Sequence, residues 1–252
     1  MPLWDGDVPV VVAPVPEPVV VPVSPPDGAL FALDDPDFAR PWVLRDVSHY
    51  TAEQWIGRYH YLGGMPAGAC HRIAAFAPDM VGVVVYAQPT NAHGVAKKYG
   101  LTAWPGNIEI ARVAVHPSAP RFTTSRLVAA ANRVVAATGI AWVFSYADTG
   151  AGHHGGIYQA VNAVYVGVSD ARPGYLLDGR PFHPRSLVAW VGTQSNEAFR
   201  LVAERGHELV KVADMNTRKH CYVLPIGDRR SRRAIIKALA PHTKPYPKRG
   251  DA

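Results

Sequence analysis

Residues 107–160 read NIEIARVAVHPSAPRFTTSRLVAAANRVVAATGIAWVFSYADTGAGHHGGIYQA, and the succession of patterns in this stretch decides the fold. From Asn107 to His116, Ile108, Ile110, Val113 and Val115 alternate with Glu109 and Arg112, the two-residue period of a strand. The alternation slips near Ala111, which predicts a bulge. Pro117–Pro120 ends the strand. From Thr123 to Thr138, Leu127, Val128, Ala131, Val134 and Val135 recur at helical spacing, with Thr123 or Thr124 as the N-cap and Gly139 as the stop. Ile140–Tyr146 reads as a buried strand. A glycine-rich turn, a short helix near Gly156–Ala163 and a strand at Val164–Val168 follow.

Outward from this stretch, Thr51 opens a helix through Trp55 and Tyr59. Strands at Ile73–Ala77 and Val81–Ala87 form a hairpin around Pro78-Asp79. Residues 88–106, rich in Pro, Gly, Asn and His, read as a long loop. Downstream lie a hairpin at Asp178-Gly179, a helix over 194–205, strands near 208–213 and 219–225, and a helix capped by Asp228 that stops before Pro241. Strands alternate with helices and also pair as hairpins, so a mixed α/β domain with one central sheet is expected. It should span residues 41–227, after an arm over 1–40 and before a basic end over 228–252.

Of the 252 residues 48% are apolar and 18% charged, which allows a sizeable core and excludes wholesale disorder. Two cysteines, Cys70 and Cys221, exclude a disulfide scaffold and a four-cysteine zinc site, and fit a reducing compartment. The N-terminal valines are interrupted by prolines every few residues, no basic region precedes them, and no run reaches the ~18 apolar residues of a spanning helix. An extended, polyproline-like arm is expected, and neither a signal peptide nor a membrane span. The net charge of +6 is unevenly spread: residues 1–46 carry 2 basic against 8 acidic residues, residues 211–252 carry 11 against 3. The basic end, with Arg229, Arg230, Arg232 and Arg233, is either a solvated surface helix or a phosphate-backbone contact.

The motifs of α/β-hydrolases, P-loop and dinucleotide folds, zincins and zinc deaminases are absent. Three constellations remain. Arg58-Tyr59-His60-Tyr61-Leu62 places a histidine between two tyrosines at a helix end, suited to proton exchange or base stacking, or to a core aromatic cluster. Glu109 and Arg112 put charges inside a central strand, where they must pair with one another or face a site. The third runs from Ser145 to Ala160. An apolar strand delivers Asp148 at its C-terminal end, the place where open α/β sheets bind ligands, into a loop with Gly150, Gly152, Gly155 and Gly156. Asp148 is there either as a reacting group or as the cap of the next turn.

The order hairpin, charged strand, long helix, strand, short helix and strand resembles the GNAT (acyl-CoA N-acyltransferase) fold. The more specific resemblance is to the phage Mom family of GNAT-like DNA adenine-modification proteins. It rests on Tyr59-His60-Tyr61-Leu62, Glu109-Ile110-Ala111-Arg112, the Ser145–Ala160 block and Lys219-His220-Cys221-Tyr222, and covers residues 47–225. The resemblance implies a transferase that places a carbamoylmethyl, glycinamide-like group on N6 of adenine in double-stranded DNA and protects phage DNA from restriction, acting in the host-cell cytoplasm. It carries site roles onto His60, Arg112, Ser125, Asp148 and Tyr158.

Acetyltransferases cradle the CoA pyrophosphate in a glycine-rich turn after the charged strand; here residues 116–125 contain no glycine. The helix N-terminus still offers N–H groups, with Arg121, Thr124, Ser125 and Arg126 as anion ligands. The donor is then either an acyl-CoA or a glycine-derived aminoacyl carrier. Asp148 or His60 is the expected base, Arg112 and Ser125 bind the donor, and Tyr158 donates or orients a proton. The adenine must leave the duplex stack, so Tyr59, Tyr61 or Trp104 is expected to stack on it, with His153, Gln159, Lys219 and the basic end also facing DNA. A small-molecule N-acyltransferase and a non-catalytic DNA-binding protein are the rival functions.

Overall fold

The computed structural model describes residues 19–21, 42–89, 91–102, 107–170, 172–182, 184–193, 195–216 and 218–248. The expected extended arm over 1–40, apart from Val19–Val21, and Trp104 lie outside them. Val, Ile and aromatic runs become strands β1 (Val19–Val21), β2 (Trp42–Asp46), β3 (Ala69–Phe76), β4 (Met80–Ala87), β5 (Asn107–Val115), β6 (Trp142–Asp148) and β7 (Val164–Val168). After these come β8 (Arg172–Leu177), β9 (Arg180–Phe182), β10 (Leu209–Asn216) and β11 (Lys219–Pro225). Helices are α1 (His49–Tyr59), α2 (Ala92–Lys98), α3 (Thr123–Ala136), α4 (Gly156–Gln159), α5 (Pro184–Val191), α6 (Glu197–Ala203) and α7 (Arg229–Leu239).

Among the described residues eight strands form the main sheet in the order β1-β2-β3-β4-β5-β6-β11-β7. Its neighbours pair antiparallel except β5 and β6, which run parallel because α3 carries the chain back between them. Period-two alternation sorts the side chains onto two faces. Val84, Tyr86, Ile108, Ile110, Val143 and Tyr222 face α3 and α4, where Leu127, Val128, Ala131 and Tyr158 meet them. Val83, Val85 and Ala114 face the other way and are covered by Ala52 and Ile56 of α1. On that second face Trp142, Phe144, Cys221 and Val223 are covered by Ala96 of α2 and by Ile235 and Leu239 of α7. The mixed α/β architecture and the order hairpin, β5, α3, β6, α4, β7 are those expected from the sequence.

Three features differ from the expectation. The segment read as a loop contains α2, started by Asn91, whose side chain accepts from Gly94 N at 3.0 Å. The N-cap of α3 is Phe122, at φ 69°, and not Thr123 or Thr124; Thr123 lies inside the helix and is buried. Finally, β10, β8 and β9 form a second sheet that closes with α5 and α6 over its own core of Tyr175, Leu187, Val191, Ala198 and Val202. This satellite is inserted between β7 and β11, and its stems are tied together by Ser169 N donating to Lys219 O at 2.8 Å and Lys219 N donating to Ser169 Oγ at 3.0 Å. No helix among the described residues is long and apolar enough to cross a membrane.

Gly82 on β4 sets how closely α3 and β5 approach. A Cβ there would lie 2.8 Å from Ala114 O, 2.8 Å from Val115 Cγ1 and 2.9 Å from Leu127 Cδ2. Gly82→Ala should therefore destabilise the fold by about 1–3 kcal/mol through overpacking. Urea denaturation measures it, and an unchanged midpoint would show that the layer yields.

Candidate active site

The site begins with the extra residue in β5. Ile110 pairs with Tyr86 and Arg112 pairs with Val85, so Ala111 is the bulged residue between consecutive partners on β4. In a regular strand Ile110 and Arg112 would share a face. The bulge turns Arg112 to the side of Val85 and α1. There its Nε donates to Gly64 O at 3.0 Å and an Nη to Ala111 O at 2.7 Å. Arg112 thereby pins the loop that follows α1.

That loop carries His60 and Tyr61. His60 ends α1 in extended geometry, and its Nδ1 accepts the Leu62 N–H at 3.1 Å. Burial first, and then the positive charges of Arg112 and His153, push the His60 imidazole down to about 4. At neutral pH the ring is therefore uncharged and, with Nδ1 used as an acceptor, carries its proton on Nε2, where it donates. Tyr61 stacks on His60 at 4.6 Å between ring centroids and meets His153 edge-on at 5.4 Å. Burial and the Asp148 charge raise the Tyr61 hydroxyl above its ordinary value, so it stays protonated.

Asp148 stands at the end of β6. Its Oδ1 accepts from Gly150 N at 3.0 Å and caps the turn Thr149–Ala151. Its Oδ2 lies 3.5 Å from Lys219 Nζ, the residue opposite it on β11. The capping role is thus realised, and the second oxygen faces a cation at the rim of the site.

Beneath the rim, β5 and β6 pair only from Asn107↔Trp142 to Ile110↔Ser145. Ser145 Oγ donates to Ile110 O at 3.1 Å at the last shared position. Tyr158, buried under the glycine-rich block, shares a hydrogen bond with Ser145, and burial pushes its hydroxyl up to about 12. Tyr158 is therefore a protonated phenol over the whole working range.

The structure brings His60, Tyr61, Arg112, Asp148, His153 and Lys219 together, with Tyr158 below them. Tyr59 points elsewhere: it packs against Trp55 at 4.6 Å and His116 at 5.2 Å. Gln159 binds its own loop and the chain end, through His154 O, Tyr222 Oη and Pro247 O. A second group gathers at the start of α3. Ser125 Oγ donates to Phe122 O at 3.0 Å, Arg121 lies over the Phe122 ring, and Arg126 lies over Trp42. Phe122 makes no side-chain cap, so first-turn N–H groups such as that of Thr124 have no intrahelical acceptor, and Thr123 Oγ1 is buried with no hydrogen-bond partner among the described residues. The first-turn N–H groups, with the helix dipole and Arg121, fit an anionic group of a donor. Arg229, Arg230, Arg232 and Arg233 are exposed on α7, on the sheet face opposite α3.

Sequence reasoning missed Tyr222 and Ser145 as supports of the site. The signal for Tyr222 was Gly155: a Cβ on Gly155, at φ 82°, would lie 2.3 Å from the Tyr222 ring. This glycine admits a ring of the protein's own core and not a ligand.

The chain is 29% identical over 149 residues to a methylcarbamoylase, Mom, of Escherichia phage Mu, over 58% of this chain and 61% of that protein, so it spans about three fifths of that relative's length. Among solved structures it is similar to the aminoglycoside 6'-N-acetyltransferase of Enterococcus faecium, at 11% identity, 74% and 98% coverage of the two chains and a TM-score of 0.41. It is also similar to a Bacillus subtilis acetyltransferase solved with CoA, at 11% identity, 73% and 97% coverage and a TM-score of 0.40. The family model described as the Mom protein family matches residues 41–248, which include every residue around Asp148, and the chain belongs to that family.

Proposed function

We propose that this chain is a transferase that modifies adenine in double-stranded DNA, attaching a carbamoylmethyl group to N6 and so shielding the DNA from restriction in the cytoplasm of an infected host. One observation carries the reading: the family match spans the same residues that gather a carboxylate, a neutral histidine, a guanidinium and an exposed aromatic ring at one strand end.

The amine of adenine is a weak nucleophile because its lone pair is delocalised. The reaction therefore needs a held electrophile, removal of one N6 proton and stabilised negative charge on the donor. As the N6–carbon bond forms, the bond from that carbon to the leaving group breaks and takes its electron pair. N6 becomes acidic at that moment, so a carboxylate suffices as the base. Asp148 takes this role, oriented by Gly150 N and Lys219. His60, with its Nδ1 occupied and its proton on Nε2, serves as a hydrogen-bond donor instead of a base. Arg112 supplies positive charge for the donor. Tyr61, 57% exposed, offers its ring to the flipped base. Anionic parts of an acyl-CoA or aminoacyl carrier would rest on Thr124, Ser125, Arg121 and Arg126. The arginines of α7, joined on the same sheet face by Lys97 and Lys98 of α2, would meet the phosphate backbone.

Nucleosides from DNA of cells expressing the protein should contain a modified adenine by mass spectrometry. An unmodified pool, with folded protein present, would sink the reading. Asp148→Asn should lower product formation about 10²- to 10⁴-fold with an unchanged circular dichroism spectrum.

His60 also has a pH signature. Its folded value lies below its unfolded one, so between about 6.5 and about 4 the unfolded chain binds more protons. The contribution of a neutral His60 to stability is complete above that window and declines as pH falls through it. His60→Gln should flatten the loss of melting temperature on going from pH 7 to pH 4.5, and an unaltered slope would refute the assignment.

Replacing Arg229, Arg230, Arg232 and Arg233 with Gln should weaken DNA binding and reduce the slope of log K against log salt by up to about 0.9 per lost phosphate contact. The same slope in the variant would place the phosphates elsewhere.

A further inference from the structure

We infer that the C-terminal segment 243–248 is a strap that positions the glycine-rich block of the site, acting through Gln159 and Tyr222. Its catalytic consequence rests on the transferase reading above; its structural one does not. After α7 the chain turns at Ala240–His242 and runs back along the edge strand β7. Lys244 N donates to Tyr165 O at 2.9 Å, and Tyr246 Oη donates to Ala163 O at 2.7 Å. These bonds deliver the buried Pro247 to Gln159.

The Gln159 amide then lies at a junction. Its Nε2 is 3.2 Å from Pro247 O, 3.2 Å from His154 O and 3.1 Å from Tyr222 Oη. The Tyr222 hydroxyl itself donates to His154 O at 2.5 Å, and its ring fills the space that Gly155 leaves without a Cβ. Two N–H groups thus serve three acceptors drawn from the loop, the sheet and the chain end. His154 is held from two sides, and its neighbour His153 is the residue that meets Tyr61 edge-on. The line of force runs from Pro247 to Gln159, to the His154 carbonyl, to His153 and so to the His60–Tyr61 stack. Gln159 and Tyr222 are positioning residues, and the basic chain end has a task distinct from phosphate contact.

Hydrogen exchange of full-length protein tests the strap without reference to catalysis. Gln159→Leu, Tyr222→Phe and removal of residues 243–252 should each speed exchange of the amides over 150–159 about two- to tenfold, while α3 is unchanged. Removal of 249–252 alone should leave that exchange as in the wild type. In the DNA-modification assay, Gln159→Leu and Tyr222→Phe should lower kcat and leave KM for DNA within about twofold. Unchanged exchange in Gln159→Leu and in the longer truncation overturns the strap, as does faster exchange with an unaltered kcat. If the wild type modifies no adenine, the transferase reading fails and exchange alone decides the strap.

Discussion

The parting of two parallel strands is the constraint on which the site depends. β5 and β6 stay together as far as Ile110 and Ser145, and the Ser145 hydroxyl closes that last shared position on Ile110 O. Immediately beyond it Ala111 bulges, and the side-chain phase of β5 shifts by one. In a regular strand, with Ala111 paired and not bulged, Arg112 would follow Ile110 onto the face of Val84, Tyr86 and Leu127, where an unpaired guanidinium is strongly disfavoured. With the bulge, Arg112 reaches Gly64 O and holds the loop of His60 and Tyr61 over the gap. The other wall of the gap is Asp148, kept in place because β6 continues against β11 after it has left β5.

This arrangement divides the chemistry between two titratable groups that the sequence leaves interchangeable. Asp148 and His60 both qualify as a base by residue type. The fold separates them: His60 is half-buried beside the Arg112 guanidinium and spends Nδ1 on a backbone N–H, whereas Asp148 caps the next turn through Oδ1 and lies against Lys219 through Oδ2. One is made into a neutral donor and the other into an anchored acceptor. Tyr158, hydrogen-bonded to Ser145, is a phenol that burial prevents from ionising.

Much of the fold was legible in local pattern. The bulge could be read because the apolar positions of β5 change from even to odd numbers between Ile110 and Val113, and α3 because five apolar residues follow a helical period. The helix α2 could not, since His93 and Gly94 give it a loop's composition while a single Asn91 cap starts it. The true cap of α3 was hidden for a different reason: Thr123 is a good cap by type, but its side chain is taken into the core and Phe122 adopts the positive φ. In the site, residue types were legible and partnerships were not. That Asp148 meets Lys219, that Gly155 yields to Tyr222, and that Gln159 meets Pro247 are all consequences of strand order and chain reversal, which periodicity does not encode.

The helix α7 shows how far local preference can be set aside. It carries five cations and no anion, with Arg229 and Arg230 at its N-terminal end, where the helix dipole disfavours positive charge. Arg229 with Arg232 and Arg233, and Arg233 with Lys237, are like charges at three- and four-residue spacing, each repulsive on an exposed face. Asp228 offsets part of this by accepting from Ser231 N at 2.7 Å, and Ile235 and Leu239 supply the burial that holds the helix down. A helix so poorly matched to its own dipole is maintained by tertiary packing on the sheet. Anions from outside would relieve the repulsion that Asp228 leaves, and a row of phosphates bound there would stabilise α7 and, through the chain that leaves it, the strap beneath the site.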